Sequence, residues 1–180
     1  MTTITSHDGG LFMSNAVLLM QAAIRPALMH LAEVSGYERL HSPTAEELLL
    51  GVAAAESGLH QKRQFGPGPA LGYFQIEPAT HDDVLRNFVG HRPDLKAALD
   101  ALLIPALGRD MQIAINDAYA AAVARLILWR APEALPRHGD IAGYAAYWKR
   151  HYNTVAGKGT VTHFLDCWNR LVAPVLTGVR

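Results

Sequence analysis

A run of small apolar residues, GVAAAESGLH at positions 51–60, leads directly into a carboxylate at Glu56. If a helix covers residues 45–57, Leu49, Val52 and Glu56 lie on one stripe of it, because they are three and four positions apart. A glutamate at the end of such a helix lies either in water, as a frayed last turn, or in a cleft where it does chemistry. The rest of the sequence has to decide between the two.

A cleft would raise the pKa of Glu56 in two ways. Burial penalises the anion, and the negative end of the helix dipole opposes a second negative charge. A free glutamate titrates near pH ~4.3. A carboxyl group whose pKa is raised toward neutrality holds its proton and can deliver it to a leaving group, as a general acid must.

Helical spacing of apolar residues covers most of the chain, and no segment longer than about five residues has the alternation of a strand. Residues 61–72 contain three glycines and two prolines, so they form a loop with at most a short β-hairpin. The expected fold is mainly α, in one domain over residues 13–180 that follows a loose lead-in at residues 1–12. Helices are predicted over residues 14–34, 45–57, 80–89, 93–104, 110–130, 140–152 and 160–176.

Punctuating residues predict how several helices begin and end. TAEE at positions 44–47 has the form of a capping box, which would open the helix that leads to Glu56. Asp82 and Asp83 after Thr80 predict a first helical turn in which both carboxylates favour the helix dipole. Pro26 is expected to split or kink the first helix, and Gly36 to end it.

The composition excludes several functional classes. The chain has 180 residues, of which 50% are hydrophobic and 18% charged, as in a globular domain. Lys plus Arg and Asp plus Glu both number 16, so the basic excess typical of a nucleic-acid-binding protein is missing. The nine histidines and the single cysteine form no metal-binding motif. We therefore expect no metal or other cofactor, no nucleic-acid partner and no membrane span.

Four short motifs in order resemble those of the soluble lytic transglycosylases and the related goose-type lysozymes. That family has a glutamate–serine pair at a helix end, a glycine-x-x-glutamine box, a proline and a threonine, and later a tyrosine–asparagine pair. The resemblance covers residues 45–90 well and residues 140–158 loosely, and it implies a lysozyme-like helical domain. The matching pieces of this chain are ES at 56–57, GYFQ at 72–75, PAT at 78–80 and YN at 152–153.

The resemblance implies a role for each matched residue. Glu56 would be the sole catalytic acid and base, Ser57 would help to orient the site, and Gln75 with the backbone around Phe74 would face the sugar. Tyr152 would orient the carboxyl group or the substrate, and Asn153 would contact the sugar. Structural alternatives stay open: Ser57 at the helix end, Gln75 as an ordinary loop residue, Phe74 or Tyr73 in the core, and Asn153 as a helix cap.

The sequence also departs from the family pattern. The usual pair before the box glutamine is aliphatic, whereas this chain has the aromatic residues Tyr73 and Phe74. The usual alanine–glycine after the tyrosine–asparagine pair is replaced by TVA at positions 154–156. These changes affect the expected geometry of the sugar subsites more than the chemistry of the acid.

A second carboxylate would change the reaction. Glycosidases that hydrolyse their substrate usually use two carboxylates, whereas a lytic transglycosylase is expected to use one and to close a 1,6-anhydro ring on the muramic acid. Glu77, next to the GYFQ box, is the residue that could convert the site into a hydrolase. Asp82 and Asp83 are better explained by the start of a helix.

The sequence thus predicts a lytic transglycosylase that cleaves the MurNAc–GlcNAc β-1,4 bond of peptidoglycan. No secretory signal is visible, so we expect a phage-encoded enzyme made in the host cytoplasm. It would act on the host cell wall, either from the virion, alongside other virion proteins as partners, or at lysis. Two alternatives remain: a catalytically inactive lysozyme-like virion protein with a structural or sugar-binding role, and a muramidase that hydrolyses with a second carboxylate.

Overall fold

The computed structural model describes residues 14–60, 68–153 and 157–176, and most of these residues are helical. The predicted mainly α fold is confirmed. Within the described residues there is no strand, only one antiparallel bridge between Leu71 and Ile76. The predicted lead-in, residues 1–12, and residues 61–67 of the predicted loop lie outside the described ranges. The helices are α1 (Asn15–Ser35), α2 (Pro43–Ser57), α3 (Pro78–Asn87), α4 (Pro93–Asp100), α5 (Arg109–Ile115), α6 (Asp117–Trp129), α7 (Ile141–His151) and α8 (Val161–Cys167, continued to Leu176).

The central helix is α2. It packs against α1, α6, α7 and α8, and its apolar side chains, Leu49 and Val52 among them, are fully buried. A helix that is hydrophobic on all sides is stable only when other helices enclose it. Glu56 lies in the last turn of this enclosed helix, so the partial burial of its carboxylate follows from the position of α2.

The predicted capping box at residues 44–47 is wrong. The N-cap of α2 is Ser42, whose Oγ accepts a hydrogen bond of 3.1 Å from the backbone N–H of Ala45. Pro43 then occupies the first helical turn, where its missing N–H costs nothing. Glu47, the supposed partner in the box, instead accepts a hydrogen bond of 3.0 Å from the Tyr144 hydroxyl group.

The start of α3 also differs from the prediction. The helix begins at Pro78 rather than at Thr80, again because proline is well suited to the first turn. Asp82 and Asp83 therefore lie beyond the first turn and do not cap the helix. They form ion pairs with Arg109 and Arg130, each with a nitrogen–oxygen distance of 2.6 Å.

The single helix predicted over residues 110–130 is two helices, α5 and α6, which meet at 96°. Asn116 lies at the bend. Its Oδ1 accepts a hydrogen bond from the N–H of Tyr119 and so caps α6, while its Nδ2 donates to the carbonyl of Leu102. Asparagine competes well for backbone groups, and here that competition ends one helix and starts the next.

Two prolines that could have split helices each follow a π turn. The turn Met20–Ile24 precedes Pro26 in α1, and the turn Trp168–Val172 precedes Pro174 in α8. In the first turn the N–H of Arg25 bonds to the carbonyl of Met20, five residues earlier. This wider turn accommodates the proline ring, which otherwise clashes with the carbonyl four residues before it. Pro26 therefore does not split α1, and the helix ends at Gly36 as predicted.

Among the helices that the structure describes, one, α1, is long and apolar enough to cross a membrane by the criteria of length and composition. The bent pair of α5 and α6 meets the same criteria only when the two are taken together. In this structure α1 packs against α4 and α6, as a core helix does.

The glycine in the middle of α2 allows α8 to approach closely. A Cβ atom at Gly51 would lie 2.5 Å from Cζ of Phe164 and 3.1 Å from the ring of Trp168. Both rings belong to the hydrophobic core and cannot move aside freely. Glycine costs α2 helical propensity at this position, but it permits the contact between the two helices.

We predict that Gly51→Ala lowers the free energy of unfolding by about 1–3 kcal/mol, because overpacking outweighs the gain in helical propensity. Urea unfolding followed by circular dichroism measures the change. The matched control is Gly108→Ala, where a Cβ meets nothing within 4 Å and φ is −71°. A Gly51→Ala variant as stable as this control would contradict the close approach.

Candidate active site around Glu56

Glu56 lies in the last turn of α2 and is partly buried, between the buried residues Ala55 and Ser57. Its Oε1 accepts a hydrogen bond of 2.8 Å from the indole N–H of Trp148 on α7. The carboxylate is therefore not fully exposed, and no lysine or arginine of the described residues forms a direct ion pair with it. Of the two readings of the stretch 51–60, a frayed glutamate in water is excluded.

The pKa of Glu56 is raised above its usual value. The largest cause is burial, which penalises the anion. Four neighbours lower the pKa: Trp148 and Asn153 through hydrogen bonding, and His163 and Lys149 through electrostatic attraction. Their combined effect is smaller than that of burial, so the pKa stays raised. The outcome is a carboxyl group that keeps its proton to higher pH, with donors nearby that stabilise the anion once the proton has left.

Trp148 is the residue of this site that the sequence reasoning missed. It is almost fully buried, and its ring packs against Phe164 at 5.4 Å between ring centroids. A Cβ at Gly159 would lie 2.5 Å from Cη2 of Trp148, so this glycine leaves room for the indole. One signal was available: Trp148 precedes Tyr152 by four residues, which puts both on the same face at the end of α7.

Lys149, also missed, connects the residues on both sides of positions 154–156. Its Nζ donates to Oδ1 of Asn153 at 2.9 Å and to the carbonyl of Gly157 at 2.8 Å. The Asn153 amide lies close enough to Glu56 to lower its pKa. Lys149 thereby fixes the position of that amide, in addition to placing a positive charge near the acid.

Tyr152 joins the neighbourhood of Glu56 to the GYFQ box. Its hydroxyl group donates a hydrogen bond of 2.8 Å to the backbone carbonyl of Phe74. Burial raises the pKa of Tyr152 well above its usual value, and the nearby negative charge of Glu56 raises it further. Tyr152 is therefore a neutral donor near neutral pH, and the structure brings it together with Glu56 as the sequence predicts.

The GYFQ box forms a tight turn between the bridged residues Leu71 and Ile76. Gly72 has φ of +73°, and a Cβ there would lie 2.3 Å from the carbonyl oxygen of Ile113, so only glycine fits. The side chain of Phe74 is fully buried in the core, as one of the alternatives proposed. Only the backbone of Phe74 contributes to the site, through the bond from Tyr152.

Gln75 has a left-handed backbone with φ of +47°, an uncommon conformation for a residue other than glycine. Its Nε2 donates to the carbonyl of Gly72 at 2.8 Å, which closes the turn and fixes the side-chain amide. Strained backbone of this kind often accompanies a functional residue. The role of Gln75 toward a sugar stays a prediction, which this geometry supports.

Ser57 and Glu77 lie at helix ends. The hydroxyl group of Ser57 donates to the carbonyl of Ala53 and accepts from the N–H of Leu59, so it closes the end of α2, as the structural alternative expected. Glu77 is exposed at the N-cap of α3. Its side chain has no hydrogen bond or ion pair within the described residues. Among those residues, too, no three His, Cys, Asp or Glu side chains converge as a metal site requires.

We predict that Trp148→Phe raises the pKa of Glu56 further, because the substitution removes a hydrogen bond that favours the anion. An NMR titration of the ¹³C-labelled glutamate carboxyl groups measures it. The control is Trp168→Phe, which changes a ring of the same aromatic cluster that packs on Phe164 and Tyr144. An unchanged or lower Glu56 pKa in Trp148→Phe would show that the indole does not stabilise the anion.

Glu46 and Glu56, both on α2, should affect stability with opposite pH dependence. Folding raises the pKa of Glu56 above its unfolded value of about 4.3. Between the unfolded and the folded pKa the native state holds a proton that the unfolded chain has lost, so the free energy of unfolding falls as the pH rises through this range. Glu56→Gln removes this loss, so the variant should gain stability relative to the wild type between pH 4 and pH 7. Urea unfolding at several pH values tests it.

Glu46 provides the matched comparison. Its hydrogen bonds with Arg25 and His41 outweigh burial and lower its pKa, so its contribution is present above the unfolded pKa and is lost as the pH falls. Glu46→Gln should therefore be less stable than the wild type at pH 7, and the difference should shrink on acidification. Parallel pH profiles for the two variants would contradict the assigned pKa directions.

The chain matches no protein-family model, no curated protein and no solved structure in comparisons with all three. The case for a function therefore depends on the chemistry of the described residues and on the motifs in the sequence. The feature to be explained is an acid with a raised pKa, surrounded by an indole, an amide, a lysine and a neutral tyrosine.

Proposed function

We propose that this chain is a lytic transglycosylase that cleaves the β-1,4 bond between MurNAc and GlcNAc in peptidoglycan. The observation that supports it most is the partly buried Glu56, whose pKa is raised while neutral donors lie beside it. A general acid needs its proton at the pH at which it works. The same group must tolerate a negative charge after transfer, which the donors permit.

In the proposed reaction Glu56 acts twice. First its proton goes to the glycosidic oxygen, and the bond from that oxygen to the anomeric carbon breaks. The Glu56 carboxylate then takes the proton of the C6 hydroxyl group, whose oxygen bonds to the anomeric carbon and closes the 1,6-anhydro ring. Glu56 ends protonated, no water is consumed, and one carboxylate suffices.

The neighbours of Glu56 have distinct proposed roles. The indole N–H of Trp148 bonds to the carboxylate, and the nearby amide of Asn153 lowers its pKa, so both groups stabilise the anion between the two proton transfers. Lys149 positions that amide through its bond to Oδ1. A direct ion pair between Glu56 and a lysine or arginine would lower the pKa strongly and so weaken the acid. Hydrogen bonds from neutral groups avoid this.

The GYFQ box is the proposed sugar-binding wall. Tyr152 holds it to the end of α7 through the Phe74 carbonyl, and the amide of Gln75 is fixed by the turn. Amide groups pair well with the N-acetyl groups of both sugars, because each offers a donor and an acceptor. Ser57 supports the site indirectly, by closing the helix that holds Glu56.

The direct test compares the wild type and Glu56→Gln on isolated peptidoglycan, with the released muropeptides identified by mass spectrometry. We expect 1,6-anhydro-muropeptides from the wild type and a loss of at least about 10²–10⁴ in rate for the variant, the usual contribution of a positioned acid. Glu77→Gln is the matched control, since it makes the same change at an exposed glutamate, and it should retain the activity.

The products and the variants together distinguish the alternatives. Reducing ends in place of anhydro ends, lost in Glu77→Gln, would establish hydrolysis with a second carboxylate and reject the transglycosylase. No product from folded wild-type protein would support a structural or sugar-binding role instead. A Glu56→Gln variant as active as the wild type would reject Glu56 as the acid.

A further inference from the structure

A cavity of about 450 Å³ lies between the 3₁₀ turn Glu38–Leu40, the end of α6, the segment after it and α7. Its volume is within the range of small-molecule sites. None of the residues assigned to the Glu56 site lines it. Tyr147, which does line it, precedes Trp148 on α7, and successive helical residues point about 100° apart. The cavity is thus separate from the candidate active site.

Arg125 lines the cavity as a buried cation, and no acidic residue in the described part of the chain pairs with it. The side chain of Arg125 is only 2% exposed, and its Nε and Nη2 donate to the carbonyls of Leu40 and Arg39 at 2.8 and 2.9 Å. Among the described residues, no carboxylate pairs with this guanidinium and no acceptor bonds its Nη1 group. Burial lowers the pKa of Arg125 to about 10. A buried charge without a counter-ion is costly, so an anion in the cavity would be favoured.

The other charged groups at the cavity permit an anion to bind. Arg39 is exposed at its rim and adds a second positive charge. Glu133 is the one acidic side chain in the described lining. Its carboxylate is engaged by Arg150 at 2.8 Å and lies 3.5 Å from Nε2 of His151. The repulsion that Glu133 exerts on an incoming anion is therefore reduced.

The remaining walls of the cavity are largely apolar, and this determines which kind of anion can bind there. The Arg125 guanidinium lies 4.9 Å from the centre of the Trp129 ring, so cation and aromatic surface are adjacent. A strongly hydrated dianion such as phosphate would lose more hydration free energy on entering such a cavity than hydrogen bonds from Nη1 of Arg125 could replace. A carboxylate attached to an apolar group suits both the Arg125 guanidinium and the apolar walls of the cavity. The apolar residues of the lining are Leu128, Trp129, Ala131, Pro132, Ala134 and Leu135.

We propose that this cavity binds a monocarboxylate with a compact apolar group, its carboxylate on Arg125 and its apolar part along Trp129 and Leu135. Arg125 then has two functions, since it also ties the carbonyls of residues 39 and 40 to α6. The proposal does not depend on the reaction at Glu56, because a binding measurement requires no peptidoglycan.

The test is isothermal titration calorimetry of the full chain with 4-methylpentanoate and with its neutral isostere, 4-methylpentanamide. We expect the carboxylate to bind with Kd of about 1 mM, a reasonable value for so small a ligand. The amide should bind at least about tenfold more weakly, because it lacks the charge-assisted bond. Equal affinities, or no heat with the carboxylate up to ~20 mM, would overturn the proposal.

Variants locate the binding without disturbing the fold. Ala134→Trp fills the cavity from an exposed position and should abolish binding, whereas Ala97→Trp, at an exposed position of α4 outside the cavity, should leave it unchanged. Arg39→Gln should weaken the carboxylate about two- to fivefold, as expected for an exposed charge. Binding that survives Ala134→Trp would overturn the proposal, and so would tighter binding of inorganic phosphate than of the carboxylate.

Discussion

The hydrogen bond from the Trp148 indole to the Glu56 carboxylate is the interaction on which the candidate site depends. A carboxylate at the end of an enclosed helix needs a donor, because a buried anion without one is strongly unfavourable. If that donor were a cation in direct contact, the group would lose its proton well below neutral pH. An indole N–H satisfies the oxygen and adds no charge, so the acid stays both stable and protonatable.

At the other end of α2, the pKa of Glu46 is shifted in the opposite direction. Burial alone would raise the pKa of Glu46, but the Arg25 guanidinium bonds its carboxylate through two nitrogens, His41 adds a further hydrogen bond, and the pKa is lowered. Glu46 is thereby fixed as an anion that fastens α1 to α2. Two glutamates ten residues apart on α2 thus differ in chemistry because of their donors, one suited to structure and the other to proton transfer.

Much of this arrangement could be predicted from the sequence. The apolar run before Glu56 requires an enclosed helix, glycine at position 72 fits a tight turn, and the resemblance implied that Tyr152 lies near the carboxyl group or the substrate. The residue that caps a helix was harder to predict. Ser42 and Thr44 are both good N-cap residues for α2, and only the position of Pro43 favours Ser42. Asn116 ends a helix by bonds to Leu102 and Tyr119, of which the first is made only in the folded chain.

The missed residues have different causes. Trp148 bonds to Glu56, 92 positions earlier in the chain, and a tryptophan in an amphipathic helix usually indicates core. Lys149 acts through groups four and eight positions later, beyond the end of α7. Arg125 resembles Trp148 in this respect, because an arginine within an apolar segment usually indicates no more than an interruption of that segment. Its carbonyl partners lie some 85 positions earlier in the chain.

The hydrogen bond from the Tyr152 hydroxyl group to the Phe74 carbonyl limits how far the turn can move away from Glu56. It joins the end of α7, beside Glu56, to the backbone of the turn, not to any side chain of it. The separation between acid and turn is therefore set by the length of one rigid phenol ring. Because the side chain of Tyr73 takes no part in this bond, a substitution there can change the surface of the turn without changing the distance between the turn and Glu56.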